Sequence, residues 1–141
     1  MTSLDAVEAR RRLASARVAR LATADAEGRP HIVPFVFAVD GDTVWSAVDA
    51  KPKTTTALRR LANVAANPAV AVLADHYDDA DWTALWWVRA DGRGRVLEAG
   101  DPRARRAVDL LVARYAPYRE RPPSGPVLEI EVTHWVGWSA T

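Results

Sequence analysis

The sequence predicts a β-rich α+β fold, an antiparallel barrel with helices flanking it and packed at its ends. Three observations carry this reading. Short β-branched and aromatic runs are separated by strong turn signals, which makes the first part of the sheet a set of hairpins and therefore antiparallel. Three helical segments lie between runs of strands, an order whose natural packing is a barrel plugged by helices. The chain has 141 residues, 49% of them hydrophobic and 26% charged, which suits one domain spanning 1–141 with a core of its own.

Taken in order, Leu4 to Ala16 reads as a short amphipathic helix with Ser3 as its N-cap and with Leu4, Val7, Arg11 and Ala14 along one face. Arg17 to Thr23 alternates as a strand. Asp25 to Pro30 is a turn in which Gly28 can take positive φ. His31 to Val39 is a second strand, Asp40-Gly41-Asp42 a hairpin turn, and Thr43 to Val48 a third strand. Pro34 cannot donate to a ladder, so its strand is an edge there, or is bulged. Thr54 to Asn67 carries Leu58, Leu61, Ala62 and Ala65 at helical spacing and stops at Asn67-Pro68. Ala69 to Asp75 is an apolar strand and His76 to Asp81 an acidic turn. Leu85 to Ala90 and Arg93 to Ala99 read as two strands around Asp91-Gly92. Asp101 caps a helix with Pro102 in its first turn and Ala104, Val108, Leu111, Val112 and Tyr115 on its apolar face. Ala116 to Pro126 reads as a proline-rich loop, and Val127 to Val132 as the last strand, for six or seven strands in all.

Composition narrows the function classes. There are no cysteines, so disulfides, thiolate metal sites and cysteine nucleophiles are excluded; the absence fits a cytoplasmic location. A formal net charge of +1 offers no global field for nucleic acid or an anionic membrane, and neither is expected as a partner. Met1 to Arg20 alternates charged and apolar residues, unlike a signal peptide. No run approaches the roughly 20 apolar residues of a spanning helix. His31, His76 and His134 are far apart, with no local H-x-x-H or H-x-H pair, no G-x-S-x-G, no Walker loop and no G-x-G-x-x-G. No metal is expected, and no catalytic side chain stands out.

Two clusters remain. The 19 basic residues are 17 arginines and two lysines, and both lysines, Lys51 and Lys53, fall in one three-residue window. Lys51-Pro52-Lys53-Thr54-Thr55-Thr56 joins a strand end to a helix start, with Arg59 and Arg60 one turn on. Free N–H groups at a helix start, hydroxyls and ammonium groups together suit an anion such as phosphate. A capping threonine on a solvated loop is the plainer alternative. The second cluster is aromatic: Tyr77, Trp82, Trp86 and Trp87, with Trp135 and Trp138 later. Trp86 and Trp87 point to opposite sides of a strand, so at most one is core. The other meets a planar ligand or a second subunit, and both hold if the ligand lies between subunits.

These residues bring a family into view. The segments Arg17–Thr23, Gly28–Pro34, Lys51-Pro52-Lys53, Arg59–Asn63 and Asn67–Val72 resemble the pyridoxamine 5′-phosphate oxidase-like superfamily of FMN-binding split β-barrels. Asp75-His76-Tyr77, Asp81-Trp82 and Leu85–Arg89 resemble an actinobacterial branch of probable F420-dependent enzymes. The resemblance implies a split barrel, a homodimer with two cofactor sites at its interface, and coenzyme F420, with FMN as the alternative. By position, Lys51, Lys53 and Thr54 would hold the phosphate together with Arg59. His31, Val33, Pro34 and Phe35 would line the ring or side-chain region, with Asp49 and Ala50 beside them. Tyr77, Trp82 and Trp87 would come from the partner subunit. Pyridoxamine phosphate oxidase proper ends in an Arg-Leu-x-Pro type motif, whereas this chain ends in Gly137-Trp138-Ser139-Ala140-Thr141, so vitamin B6 oxidation is not expected.

The activity these readings predict is hydride transfer from a reduced deazaflavin to a small electron-poor substrate such as an enone, the proton coming from solvent or Tyr77. A non-catalytic carrier of the cofactor, or a haem-binding protein using one histidine, is the alternative.

Overall fold

The structure, a computed structural model, describes residues 2–48 and 55–141, with side chains in the second part from Arg59 onward. Its elements are β1 (Thr2–Ser3), α1 (Ala6–Ser15), β2 (Ala19–Ala24), β3 (Pro30–Phe35), β4 (Ala38–Asp40), β5 (Thr43–Ala47), α2 (Thr55–Ala66), β6 (Ala69–His76), β7 (Trp86–Leu97), α3 (Pro102–Arg114), α4 (Ala116–Glu120) and β8 (Val127–Ser139). A single 3₁₀ turn, Trp82–Ala84, precedes β7. The strands form one sheet in the order β3-β2-β6-β7-β8-β5-β4, with β1 beside β8. Every pairing is antiparallel. Its two end strands, β3 and β4, are consecutive in the chain, so the sheet curls into an open, barrel-like wall. The α+β, β-rich class is the expected one.

Alternation explains the wall. On β2 the side chains of Ala19, Leu21 and Thr23 are buried while Arg20 is exposed, and on β6 Val70, Val72 and Ala74 are buried. These inward rows meet Phe35, Phe37, Val88, Ala90, Leu128 and Ile130 in the barrel interior. Helix α1 closes it with Ala9 and Leu13, and α2 with Val64. A second core lies outside the wall, where Ala104, Ala107, Leu111 and Tyr115 cover Trp45, Ala47, Leu97 and Val127. Asp101 caps α3 by accepting from the Arg103 N–H at 2.8 Å, with Pro102 in its first turn.

Several elements differ from the sequence expectation, each for a local reason. Asp5, not Ser3, caps α1: its carboxylate accepts from the Glu8 N–H at 2.8 Å, while Ser3 is extended and pairs with Trp138. The buried stripe of α1 is therefore Ala9 and Leu13, and Val7 is 66% exposed. The long second strand is broken at Val36-Phe37, where Phe37 turns into the core and its backbone N–H and C=O both bond the Tyr115 hydroxyl. Asp91-Gly92 is no hairpin turn. β7 runs straight through it with a bulge against β8, because Gly92 lets the Glu131 carbonyl approach where a Cβ would collide. The proline-rich loop begins as the short helix α4, and β8 continues to Ser139. Pro34 sits on an edge strand, since among the described residues β3 pairs only with β2.

Candidate functional site

A polar cleft of about 490 Å³ lies between the β2–β3 hairpin and α2, lined by Asp25, Arg29, Pro30, His31, Arg59 and Asn63. The hairpin turn is built by Asp25. Its carboxylate accepts from the backbone N–H of Glu27 and of Arg29, both at 2.9 Å, and from Arg29 Nε at 2.8 Å. Gly28, at φ 81°, supplies the left-handed residue the turn needs. The Arg29 backbone and guanidinium bonds hold the Asp25 carboxyl below its usual range.

Helix α2 is fixed against this hairpin by one buried polar contact. Asn63 Nδ2 donates to Thr23 Oγ1 at 3.0 Å, both residues being about 5% exposed or less. Val64, one position on, packs over Gly94, where a Cβ would crowd it. The helix thus presents Arg59 to the cleft opposite His31. Arg59 has no ion pair with a described residue. His31 Nδ1 is buried without a hydrogen-bond partner among the described residues. Arg59 and His31 thus line one cleft, and His31 keeps a buried ring nitrogen unpartnered beside it, a combination that suits an anionic or strongly hydrogen-bonding ligand. An orphaned buried ring nitrogen beside a cationic arginine fits the phosphate-bearing part of a flavin-type cofactor.

The expected site residues divide into four sets. Asp49, Ala50, Lys51, Lys53 and Thr54 lie outside the described residues. His31 and Arg59 are brought together at the cleft. Val33 and Phe35 share the inward side of β3 with His31, and Phe35 is 5% exposed and stacked on Phe37, so the Phe35 ring is part of the barrel core. Pro34 points outward, with Pro30 and Ile32, and is exposed. Tyr77, Trp82 and Trp87 form the fourth set, at the far end of the sheet. Ala22 pairs with Ala71, which puts Thr23 and the cleft level with Val70. His76 is six residues further along β6, about 20 Å away. Within one chain the aromatic set does not reach the cleft.

That aromatic set is ordered by its own hydrogen bonds. The Tyr77 hydroxyl donates to Asp79 at 2.8 Å and accepts from Trp82 Nε1 at 3.3 Å. Asp81 accepts from the Thr83 N–H and hydroxyl, which hold its carboxyl below the usual range. Tyr77 and Trp82 are nonetheless 58% and 65% exposed. Trp86 packs against the interior and stacks on His76, whereas Trp87 faces out with the Arg89 guanidinium 6.0 Å from its ring centroid. Arg89 is paired with Asp91 at 2.7 Å.

Cross-strand register extends this outward face across five strands. Pro34, Arg20, Leu73, Arg89 and Val136 form one row, and Ile32, Ala22, Ala71, Asp91 and His134 the next. Among the described residues no helix covers these rows, and Ile32 is 64% exposed. Sequence reasoning missed this wall, as it missed Asp25, Arg29 and Asn63 at the cleft. Ile32 was legible as the outward neighbour of His31; the cleft residues are distant in sequence and meet only by folding. Among the described residues no group of three His, Asp or Glu side chains is placed to hold a metal ion. Among them, too, no helix is long and apolar enough to cross a membrane.

The open antiparallel barrel is that of the FMN-binding split-barrel class. Residues 6–139 match the family described as pyridoxamine 5′-phosphate oxidase, and the chain belongs to it. A FAD-binding protein from Mesorhizobium loti has a similar structure, with a TM-score of 0.75 at 22% identity over 96% of this chain and 95% of that one. The FAD-binding protein of Mycobacterium smegmatis superposes with a TM-score of 0.66 at 21% identity over 98% and 97%. The haem storage protein of Vibrio cholerae does so with 0.69 at 15% identity over 94% and 90%. At these identities the likeness is one of fold. No curated protein matches the sequence. The family spans oxidases, and its fold is shared by proteins described as FAD-binding or haem-storing.

Proposed function

We propose that this protein is an oxidoreductase that works as a homodimer with a flavin-type cofactor, coenzyme F420 before FMN or FAD. The observation that carries the reading is the cleft where Arg59 and the unpartnered His31 nitrogen converge, one turn into α2 from the Lys51–Thr54 segment. Lys51, Lys53 and Thr54 are the groups proposed for the cofactor phosphate. FAD is included because two proteins of the same fold are described as binding it.

The aromatic set enters through the second copy. Tyr77 and Trp82 lie about 20 Å from the cleft of their own chain, and the bare wall between them is apolar enough to be a contact surface. Packing two such walls across a two-fold axis would offer the Tyr77, Trp82 and Trp87 side of one subunit to the cleft side of the other. This arrangement would put the ring beside Pro34 and Ile32 and the phosphate beside Arg59.

When bound, a reduced deazaflavin supplies a hydride to the electron-poor carbon of a double bond, which gains a proton from solvent as the cofactor is left oxidised. The chain's own part is binding, orientation and exclusion of water. Tyr77 is a poor proton source as it stands, since its hydroxyl hydrogen is committed to Asp79; solvent is the better donor.

The test is parallel fluorescence titration of the protein with F420, FMN and FAD, followed by reoxidation of the bound reduced cofactor against enones, quinones and nitroarenes. Saturable F420 binding with turnover of one acceptor class supports the reading. Binding without reoxidation by any acceptor makes the protein a carrier, and saturable haem binding in place of every flavin sinks the proposal.

A further inference from the structure

We propose that a second cleft, between α3 and the loop leading into β8, binds a small zwitterion with an apolar side chain, an α-amino acid such as leucine. This cleft measures about 380 Å³, within the roughly 300–1,000 Å³ of sites that enclose small organic ligands. It lies on the outer side of the sheet and shares no lining residue with the cleft at α2. Its floor is apolar. Ala104 and Val127 are 1% and 0% exposed, as members of the core that α3 builds over the sheet, and Ala99, Val108 and Pro123 continue that surface. Pro123 is itself buried, which pins the facing loop at a fixed φ and keeps the two walls apart.

The rim carries both signs of charge. Arg105 and Asp109 both line the cleft, four positions apart on α3 and therefore on one face of the helix. Basic before acidic is the weaker order for pairing along a helix, and neither side chain has an ion pair or hydrogen bond with a described residue. The neighbouring arginines are committed, Arg103 to Glu129 and Arg106 to Asp40 at 2.9 Å. On the facing wall Ser124 and Gly125 also have no hydrogen bond with a described residue. A guanidinium and a carboxylate that leave each other unpaired work against a ligand of a single charge, which meets its own sign beside its partner. A zwitterion satisfies both: its carboxylate accepts from Arg105 and the Ser124 hydroxyl, its ammonium donates to Asp109, and its side chain covers the apolar floor.

The site stands independently of the flavin-type reading, so the experiment uses the whole protein without added cofactor. The probes are L-leucine, 4-methylpentanoate, which lacks the ammonium, and isopentylamine, which lacks the carboxylate. They are titrated by calorimetry, with a rise in thermal midpoint as the second readout, on the parent and on Arg105→Gln and Asp109→Asn. Both substitutions are at exposed positions, and urea unfolding checks that each variant is folded. Leucine should saturate the parent and bind about tenfold more tightly than either half-analogue, since one charge-assisted hydrogen bond amounts to about that factor. Arg105→Gln should erase its advantage over isopentylamine, and Asp109→Asn its advantage over 4-methylpentanoate. Perturbation of the Ala104, Val108 and Val127 methyl signals by leucine, and not of Leu21 or Val72 in the barrel interior, supports the location. Failure of leucine to saturate the parent at its solubility limit overturns the proposal. So does equal affinity of leucine for the parent and both variants, because it then binds elsewhere. Equal affinity of the parent for leucine and 4-methylpentanoate overturns it as well, because the cleft then takes any apolar anion.

Discussion

The barrel has two outer walls of like construction and unlike fate. One, made of β5 and the ends of β7 and β8, is covered by α3, and Trp45, Ala47, Leu97 and Val127 are all 9% exposed or less. The other, made of β3, β2, β6 and the opposite ends of β7 and β8, has no helix over it among the described residues and leaves Ile32 at 64%. Both alternate inward and outward, and both carry apolar residues outward. On the covered wall the charged groups are paired, Glu129 with Arg103 and, at 3.3 Å, with Arg95, and Asp40 with Arg106 at 2.9 Å, while the buried Trp45 Nε1 has no hydrogen-bond partner among the described residues. On the bare wall Arg20 has no ion pair with a described residue, and Arg89 is paired with Asp91. An antiparallel sheet can face water on one side, but then its outer row is polar. The bare wall instead sets Ala22, Ile32, Ala71, Leu73 and Val136 among Arg20, Arg89, Asp91 and His134, and the proposed homodimer would bury those apolar residues.

The contrast predicts different costs on the two sides. Leu111, on the inner face of α3, is fully buried against the covered wall. Leu111→Ala should lower unfolding free energy by about 2–5 kcal/mol through lost transfer and a cavity, read by urea denaturation with an unchanged slope. A cost under ~1 kcal/mol would mean that α3 is not what shields that wall.

Tyr115 ties the covered wall to the barrel rim. Its hydroxyl bonds the Arg17 carbonyl at 3.0 Å and the Phe37 carbonyl at 2.9 Å, and accepts from the Phe37 N–H at 3.2 Å. The Arg17 guanidinium lies 4.8 Å from its ring centroid. Tyr115→Phe strands a buried N–H and should cost about 1–3 kcal/mol with the aromatic packing kept. A neutral result would show that water replaces the hydroxyl.

For the bare wall, the proposed pairing predicts a response to concentration instead. If the folded chain is stabilised by pairing, each tenfold dilution removes up to about 1.4 kcal/mol of apparent stability. Thermal midpoints measured over three decades of protein concentration read this directly, and a flat series speaks for a monomer.

What the sequence made legible follows the same division. The hairpin at Asp25–Arg29, the Asp101 cap and the apolar face of α3 are local, governed by spacing and turn chemistry, and each stands within a residue or two of its expected place. The Asp91-Gly92 misreading was local as well: glycine marks both turns and close approaches, and only the neighbouring strand decides which. The cleft was half legible. Arg59 and His31 could be proposed singly, but their meeting depends on Asn63 finding Thr23 across 40 residues of sequence. The family resemblance puts Phe35 beside the ligand with Pro34, yet a strand sends neighbours to opposite faces, and Phe35 points into the core. The bare wall could not be read at all, since its rows exist only once five strands have been set in register.

The smallest expected effect on the chain itself is also the sharpest test of the comparison. Ile32 on the bare wall and Val7 on α1 are almost equally exposed, 64% and 66%. Replacing either by glutamate in an isolated chain should change stability by no more than about 0.5 kcal/mol, as for surface positions generally. Exposure alone therefore predicts twin outcomes. Val7 lies on a helix whose opposite side already packs into the barrel through Ala9 and Leu13, so Val7→Glu should leave the mass in sedimentation equilibrium unaltered. Ile32→Glu would put a carboxylate into the centre of any paired wall, where desolvating it is costly, and should reduce the species to the 15.5 kDa chain. Cofactor titrations on the same two variants then separate assembly from binding. If Ile32→Glu is monomeric and still binds FMN or F420 as tightly as Val7→Glu does, the aromatic set of the second copy is not part of the site. If it is monomeric and binding falls away, the bare wall and the cleft belong to one interface.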